Sequence, residues 1–199
     1  GGYILKTGYG QEGYEPGDNV VKLFVMGSLV TEALTASEEL LQRGIFADII
    51  MVTSPELLLG ILGEQDDYFH LRTTLGVSAD LHLSASASSS RESIAGLAGR
   101  RVPCVAICDG EAGLLDNVGS VVGVRCRTLA VRKFSKCGRP DEVFRYQDLD
   151  PSSIIEACGQ VLSETALENL TLDPAVLSQL ANGEQKVRAN WRDLWPSTE

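Results

Sequence analysis

Long apolar runs, histidine and basic charge are all scarce in this chain of 199 residues, and each shortage excludes a class of protein. No stretch approaches the ~20 apolar residues that a membrane-spanning helix needs, and the N-terminus lacks the pattern of a secretory signal peptide. The 27 acidic residues outnumber the 17 Lys and Arg, which leaves a net charge of −10. A general nucleic-acid binder would need a dominant basic field. We therefore expect neither a membrane nor a nucleic acid among the partners.

Metal-binding patterns are also missing. The five cysteines form no C-x-x-C pair, and the two histidines, His70 and His82, lie twelve positions apart. A structural zinc site needs ligands at tighter spacing, so we predict small buried thiols in a reducing compartment, the cytoplasm. Cys104 and Cys108 fall four positions apart in an apolar run, which would place both on one face of a strand.

Catalytic patterns are equally weak. No Walker phosphate loop and no Gly-x-Ser-x-Gly elbow occur. The G-x-G-x-x-G match at 8–13 precedes the first predicted strand, whereas a dinucleotide motif must follow one, so we interpret it as a turn-rich segment. Asp109, Glu111 and Asp116 follow the third strand and could serve in acid–base chemistry, or could be solvated loop and helix-end charges. We assign no catalytic, cofactor-binding or metal-binding residue.

Apolar periodicity predicts strands alternating with helices. The run 20–26 is short and β-branched, 30–41 repeats at helical spacing, and 45–52 is again strand-like. Ser54 and Pro55 form a helix start, 102–108 is the third clear strand, 125–131 is a less buried strand, and Pro151 begins a long helix. This alternation is typical of an α/β fold with a mainly parallel sheet. Ligands of such sheets bind at the carboxyl ends of the strands.

One window reverses the charge of the chain. Residues 125–145 carry a net charge of +5, so the remainder carries −15. Such a window can receive an acidic partner or a phosphate, or it can be a solvated face paired with the chain's own acids. We predict an interdomain or partner surface formed by Arg125, Arg127, Arg132, Lys133, Lys136 and Arg139.

The stretch 101–162 resembles the C-terminal domain of the transketolase superfamily. The matching segments are the strand 102–110, the run 129–138 with Phe134, the segment 141–146 with Phe144, and 149–155. Ser135 and Cys137 replace the usual Gly and Ser. Near the N-terminus, 25–28 and the helix after it are similar to the family's strand, Gly-Ser and helix. Within the superfamily, 1–5 and 52–58 look most like the homodimeric thiamine-dependent pyruvate dehydrogenases.

The resemblance implies a three-layer α/β domain with a mainly parallel sheet of about five strands and helices on both faces. We divide the chain into an N-terminal segment (1–19), the domain (20–165) and a helical C-terminal tail (166–199). Because the chain lacks an initiating Met and the family's enzymes are larger, we expect a piece of a longer protein. The resemblance implies that this piece is an architectural domain of an oxidoreductase that decarboxylates a 2-oxo acid.

The cofactors implied for the full enzyme are thiamine diphosphate and Mg²⁺. The family's diphosphate signature begins Gly-Asp-Gly, whereas Cys108 stands before Asp109 and Gly110 here, so we expect no cofactor in this piece. The expected partners are the remaining domains of the parent chain and a second subunit in a homodimer. The alternatives are the same domain of a transketolase-type enzyme, and a free-standing module that binds a small molecule or a partner.

Overall fold

The computed structural model describes residues 1–71, 75 and 102–171. His82, the Ser-rich stretch 84–90 and the predicted C-terminal tail from residue 172 onward, with its two tryptophans, lie outside this part of the chain. Among the described residues, no helix is long and apolar enough to cross a bilayer.

A five-stranded sheet forms the centre of the molecule, in the order β1-β3-β2-β4-β5. β2 to β5 run parallel, and β1 is an antiparallel edge strand paired with β3. The α/β prediction with a mainly parallel sheet is therefore confirmed, although β1 is absent from the sequence-based prediction. The strands are β1 (Gly2–Lys6), β2 (Val20–Met26), β3 (Phe46–Val52), β4 (Cys104–Glu111) and β5 (Cys126–Val131).

Helices cover both faces of the sheet and complete the predicted three layers. The helices are α1 (Val30–Gln42), α2 (Pro55–Leu58), α3 (Ile61–Gln65), α4 (Val118–Val122), α5 (Pro140–Tyr146) and α6 (Pro151–Thr171). α1 and α6 pack on one face, where Leu23 and Ile107 meet Leu40 and Ile154. α2 and α4 pack on the other face, against Phe24. Each face thus has its own apolar core, as a central parallel sheet requires.

Local chemistry explains where the helices begin. The Ser54 hydroxyl accepts a hydrogen bond from the Leu57 N–H at 3.3 Å, and Pro55 occupies the first helical position, as predicted. The residues after β4 form a 3-10 turn at Ala112–Leu114 and then the short helix α4, which ends at Gly123 with a φ of 73°. The left-handed backbone conformation at Gly123 ends the helix, and glycine adopts this conformation without strain.

A buried carboxylate fastens the N-terminal segment to the sheet. Asp48 of β3 is 2% exposed and accepts three hydrogen bonds: from the Gly8 N–H at 2.8 Å, the Tyr14 hydroxyl at 2.7 Å and the Lys22 ammonium at 2.6 Å. Tyr14 also packs edge-to-face on Phe46, with 5.4 Å between ring centroids. The glycine-rich segment 8–13 thus forms a series of turns that Asp48 fastens to the sheet. The prediction of a turn-rich segment is confirmed.

Candidate functional site

The carboxyl ends of β2 and β4 meet at the point where the chain changes direction across the sheet. β3 lies on one side of β2 and β4 on the other, so this is the crevice in which open α/β sheets commonly bind ligands. The Asp109 carboxylate occupies it: the Ser28 N–H donates to Asp109 Oδ2 at 2.7 Å. A Cβ added at Gly27 would lie 1.8 Å from Asp109 Oδ1. Asp109 thus ties the end of β4 to the turn that follows β2.

β4 runs as far as Glu111, so Asp109 and Glu111 belong to the strand and do not follow it as predicted; neither Glu111 nor Asp116 joins Asp109 in one site. Asp116 lies 3.8 Å from Arg132, and Glu111 is exposed at the end of the strand. Within the described ranges, no group of three His, Cys, Asp or Glu side chains could hold a metal ion. His70 is half-buried, and its Nε2 lies 2.9 Å from the Gly2 carbonyl oxygen, which is the contact of a packed histidine. Acid–base chemistry at this end of the sheet gains no support from the geometry.

Five of the six residues of the predicted basic surface lie in β5 or in the loop that follows it, and Arg125 precedes the strand. Arg127 and Arg132 line a groove of about 470 Å³ between this edge strand and α6. Arg127 donates to Glu164 of α6 at 2.8 Å, and Arg132 donates to the Thr128 carbonyl at 3.3 Å. Asp148 and Glu156 line the groove from the helix side, so the groove carries both signs of charge. This pattern suits a polar protein surface better than a free phosphate.

A second group of cations surrounds Tyr146 at the end of α5. The Lys136 ammonium lies 4.0 Å from the Tyr146 ring centroid, a cation–π distance. Lys133 donates to Asp148 at 2.5 Å and to the Tyr146 carbonyl at 3.0 Å. Exposed pairs of this kind contribute only about 0–1 kcal/mol each, so a partner could displace them at small cost.

The buried amide of Gln147 holds the start of this loop. Its Nε2 donates to the Lys133 carbonyl at 2.9 Å, and its Oε1 accepts from the Lys133 N–H at 3.2 Å. These two bonds fasten the start of the loop after β5 to the segment between α5 and α6. Gln147 carried no signal in the sequence, because a single glutamine after a helix looks like any surface residue.

The structure therefore brings four of the six predicted residues into two adjacent groups and leaves two apart. Arg139 stands before α5 and pairs with Asp141 at 3.3 Å. Arg125 lies on the exposed turn before β5. The assignment of these six as a partner surface remains a prediction.

The loop after β5 also carries an aromatic side chain that is almost fully exposed to solvent. Phe134 is 96% exposed, directly after Lys133 in the loop between β5 and α5. The next residues of the loop, as far as Pro140, are exposed as well. Large apolar side chains in full contact with water commonly mark interaction surfaces when charged residues surround them. The sequence had singled out Phe134 only through its family resemblance.

The cysteines fit the predicted small buried thiols in most cases. Cys104 and Cys108 are fully buried on the same face of the sheet, as their spacing predicts. Burial raises the pKa of the Cys108 thiol, and burial raises the pKa of Cys158 to about 12. Cys137 is exposed and Cys126 is half-buried, and none of the five forms a disulfide.

No family model matches this chain, and no curated protein matches it. Solved transketolases are similar to it at low identity. A split-gene transketolase, an inactive beta4 tetramer, is 17% identical with a TM-score of 0.47, over 75% of this chain and 44% of that one. The transketolase of Campylobacter jejuni is 14% identical (TM-score 0.45; 78% and 18% covered). A Pichia stipitis transketolase in complex with sedoheptulose 7-phosphate is 15% identical (TM-score 0.45; 82% and 18% covered). This chain thus spans less than half of each, and a likeness at this level does not extend to activity.

Proposed function

We propose that this chain is a non-catalytic, transketolase-type α/β domain of a larger thiamine-dependent enzyme, and that the loop after β5 contacts another domain or subunit of it. The observation that carries the proposal is the exposure of Phe134. The side chain is almost fully exposed, and it directly follows Lys133, whose partner Asp148 also lines the arginine groove. Contact surfaces commonly combine exposed apolar residues with weakly paired charged residues.

The family motifs also lie together in one part of the fold. The segment that carries the resemblance comprises β4, β5, the Phe134 loop, α5 and the first half of α6. β4 and the edge strand β5 are neighbours in the sheet, and α6 packs on both. This arrangement supports a domain that meets the rest of an enzyme through this edge.

Thiamine diphosphate and Mg²⁺ do not fit the residues at the end of β4. The carboxylate of Asp109 already accepts the Ser28 N–H, and the glycine that would precede it in the family signature is Cys108, fully buried. We therefore place both cofactors in other parts of the full enzyme. Our proposal for that enzyme is the pyruvate dehydrogenase kind, which oxidatively decarboxylates a 2-oxo acid and transfers the acyl group to lipoyl groups as a homodimer in the cytoplasm. The free thiols are consistent with a reducing compartment.

The test adds an affinity tag to the chromosomal gene of this protein and purifies the protein together with the proteins that bind it. We expect the purified material to oxidise a 2-oxo acid in a thiamine diphosphate-dependent manner with a lipoyl acceptor. Phe134→Ser should lower the recovered activity at least tenfold, roughly the effect of losing one interface anchor. Tyr9→Ser is the matched control: Tyr9 is 82% exposed in the N-terminal turns and lies outside the proposed surface.

Three results would each correct a different part of the proposal. Ketol transfer between sugar phosphates would replace pyruvate dehydrogenase by a transketolase-type enzyme. No thiamine-dependent activity at all would favour a free-standing module. Calorimetry of the isolated chain should detect no thiamine diphosphate binding, and micromolar binding would contradict the non-catalytic assignment.

A further inference from the structure

Two cysteines face each other across the β4–β5 pair. Cys104 and Cys126 are the first residues of their strands and are partners in the parallel register. Neighbouring strands lie about 4.8 Å apart, and disulfides join residues whose Cα atoms are about 4.4–6.8 Å apart. Both side chains belong to the same apolar cluster on one face of the sheet. Both cysteines are free thiols, and the spacing of their strands lies within the range that a disulfide can join.

The two thiols differ in a way that gives each a separate role. Cys104 is fully buried, whereas Cys126 is only half-buried. The neighbouring Cys104 thiol lowers the pKa of Cys126, helped by backbone N–H groups and opposed by burial. The Cys126 thiol, followed by burial, raises the pKa of Cys104. A thiolate therefore forms more readily on the less buried sulfur, with a protonated thiol beside it, and the thiolate is the nucleophile.

We propose that Cys126 and Cys104 form a redox-active dithiol that reacts with low-molecular-weight disulfides such as glutathione disulfide. The Cys126 thiolate attacks one glutathione sulfur, the glutathione S–S bond breaks, and one glutathione thiolate leaves. Cys104 then loses its proton and attacks the Cys126 sulfur of the mixed disulfide, which releases the second glutathione. Two protein thiols are oxidised to one disulfide, while one glutathione disulfide is reduced to two glutathiones.

The resulting bond would tie β5 to β4 one residue before Arg127, at the head of the strand that lines the groove. The inference does not depend on the proposed function, because it needs only the register of two strands. The remaining cysteines provide internal comparisons. Cys108 and Cys158 are buried and Cys137 is exposed.

The experiment uses the full chain with Cys137→Ser, which removes the exposed thiol and leaves four of the five cysteines. The folded protein is equilibrated with mixtures of glutathione and glutathione disulfide, quenched with acid and alkylated. We expect the free-thiol count to fall from four to two, and peptide mass mapping to show one link between Cys104 and Cys126. Dithiothreitol should restore all four thiols.

Two variants separate the steps. Cys126→Ser should keep its three thiols under the same conditions. Cys104→Ala should retain one glutathione on Cys126, because no second thiol can release it, and circular dichroism checks that it folds. A thiol count that stays at four in the folded Cys137→Ser protein would overturn the proposal whatever the variants do. A Cys104–Cys126 link that forms only in denaturant, or a link to another cysteine, would overturn it as well.

Discussion

The buried carboxylate of Asp48 should be the most sensitive single position in the described sheet. Its substitution by alanine removes the partner of the Lys22 ammonium, whose side chain is only 13% exposed, and leaves the Gly8 N–H without its acceptor. Removing one member of a buried ion pair costs about 3–5 kcal/mol, mainly because the other charge stays buried. Lys22 still lies 3.4 Å from the Tyr14 hydroxyl and can extend part of its stem toward water, so we expect the lower end, about 3 kcal/mol.

Urea unfolding followed by circular dichroism measures this loss, and a second variant identifies its cause. Asp48→Ala combined with Lys22→Met removes both charges, so it should recover most of the stability and leave a deficit of about 1–2 kcal/mol from the lost hydrogen bonds. Tyr14→Phe alone should cost about 1 kcal/mol. The reasoning is refuted if the single and double variants lose equal stability, because an orphaned charge would then not be the cause.

The same substitution has a local consequence that the global stability does not report. Asp48 is the anchor of the turns that follow β1, through Gly8 and Tyr14. Asp48→Ala should therefore accelerate proteolysis within 7–19 under conditions where the rest of the chain stays folded. Cleavage at an unchanged rate would show that the apolar contact of Tyr14 with Phe46 holds this segment by itself.

Three further predictions concern other parts of the molecule. Gly27→Ala should lower the free energy of unfolding in urea by about 2–3 kcal/mol, because φ is 81° and the new Cβ would displace the Asp109 carboxylate. In the presence of Asp109→Ala, the same change should lower it only by the ~1–2 kcal/mol of the left-handed backbone. An equal loss in both backgrounds would refute the clash. Phe134→Ser should change the stability of the isolated chain by less than about 0.5 kcal/mol, since a larger loss would mean that the ring packs on its own domain. Cys158 should resist alkylation in the folded protein while Cys137 reacts. Burial raises the pKa of Cys158 to about 12, so the stabilisation by its protonated thiol is complete below the unfolded pKa near 9 and is lost as the pH rises from about 9 to 12. If the stability difference between the protein and its Cys158→Ala variant did not change over this pH range, the prediction would be wrong.

Elements with a strong local signal were predictable from the sequence. β2 and β3 are apolar β-branched runs, α1 has a clear helical period, and the helix starts at Ser54–Pro55 and Pro151 follow from capping chemistry. In each case the residues that decide the structure lie within a few positions of one another. The choice between strand and helix then needs no knowledge of the rest of the chain.

The features that were not predictable depend on distant contacts. β1 is a strand because it pairs with β3, and its short sequence shows no alternation of its own: Tyr3, Ile4 and Leu5 are all exposed. Asp48 in an apolar strand was a visible exception, but nothing local connected it with Gly8. The basic window was found from its charge alone, whereas its division into two groups depends on Tyr146 and on the position of α6.

The link between Ser28 and Asp109 also constrains how the molecule assembles. These residues are 81 positions apart, whereas Ser37 reaches the Ala47 carbonyl across only 10. Closing the longer loop costs more entropy before any contact rewards it. We expect β2, α1 and β3 to form early as one local unit, and β4 with β5 as another. The seam between β2 and β4, at the centre of the finished sheet, would then close last, and until it does both inner strands expose an unpaired edge. The middle of the sheet, rather than its rims, is where a slow step or a stalled chain would first become vulnerable to aggregation.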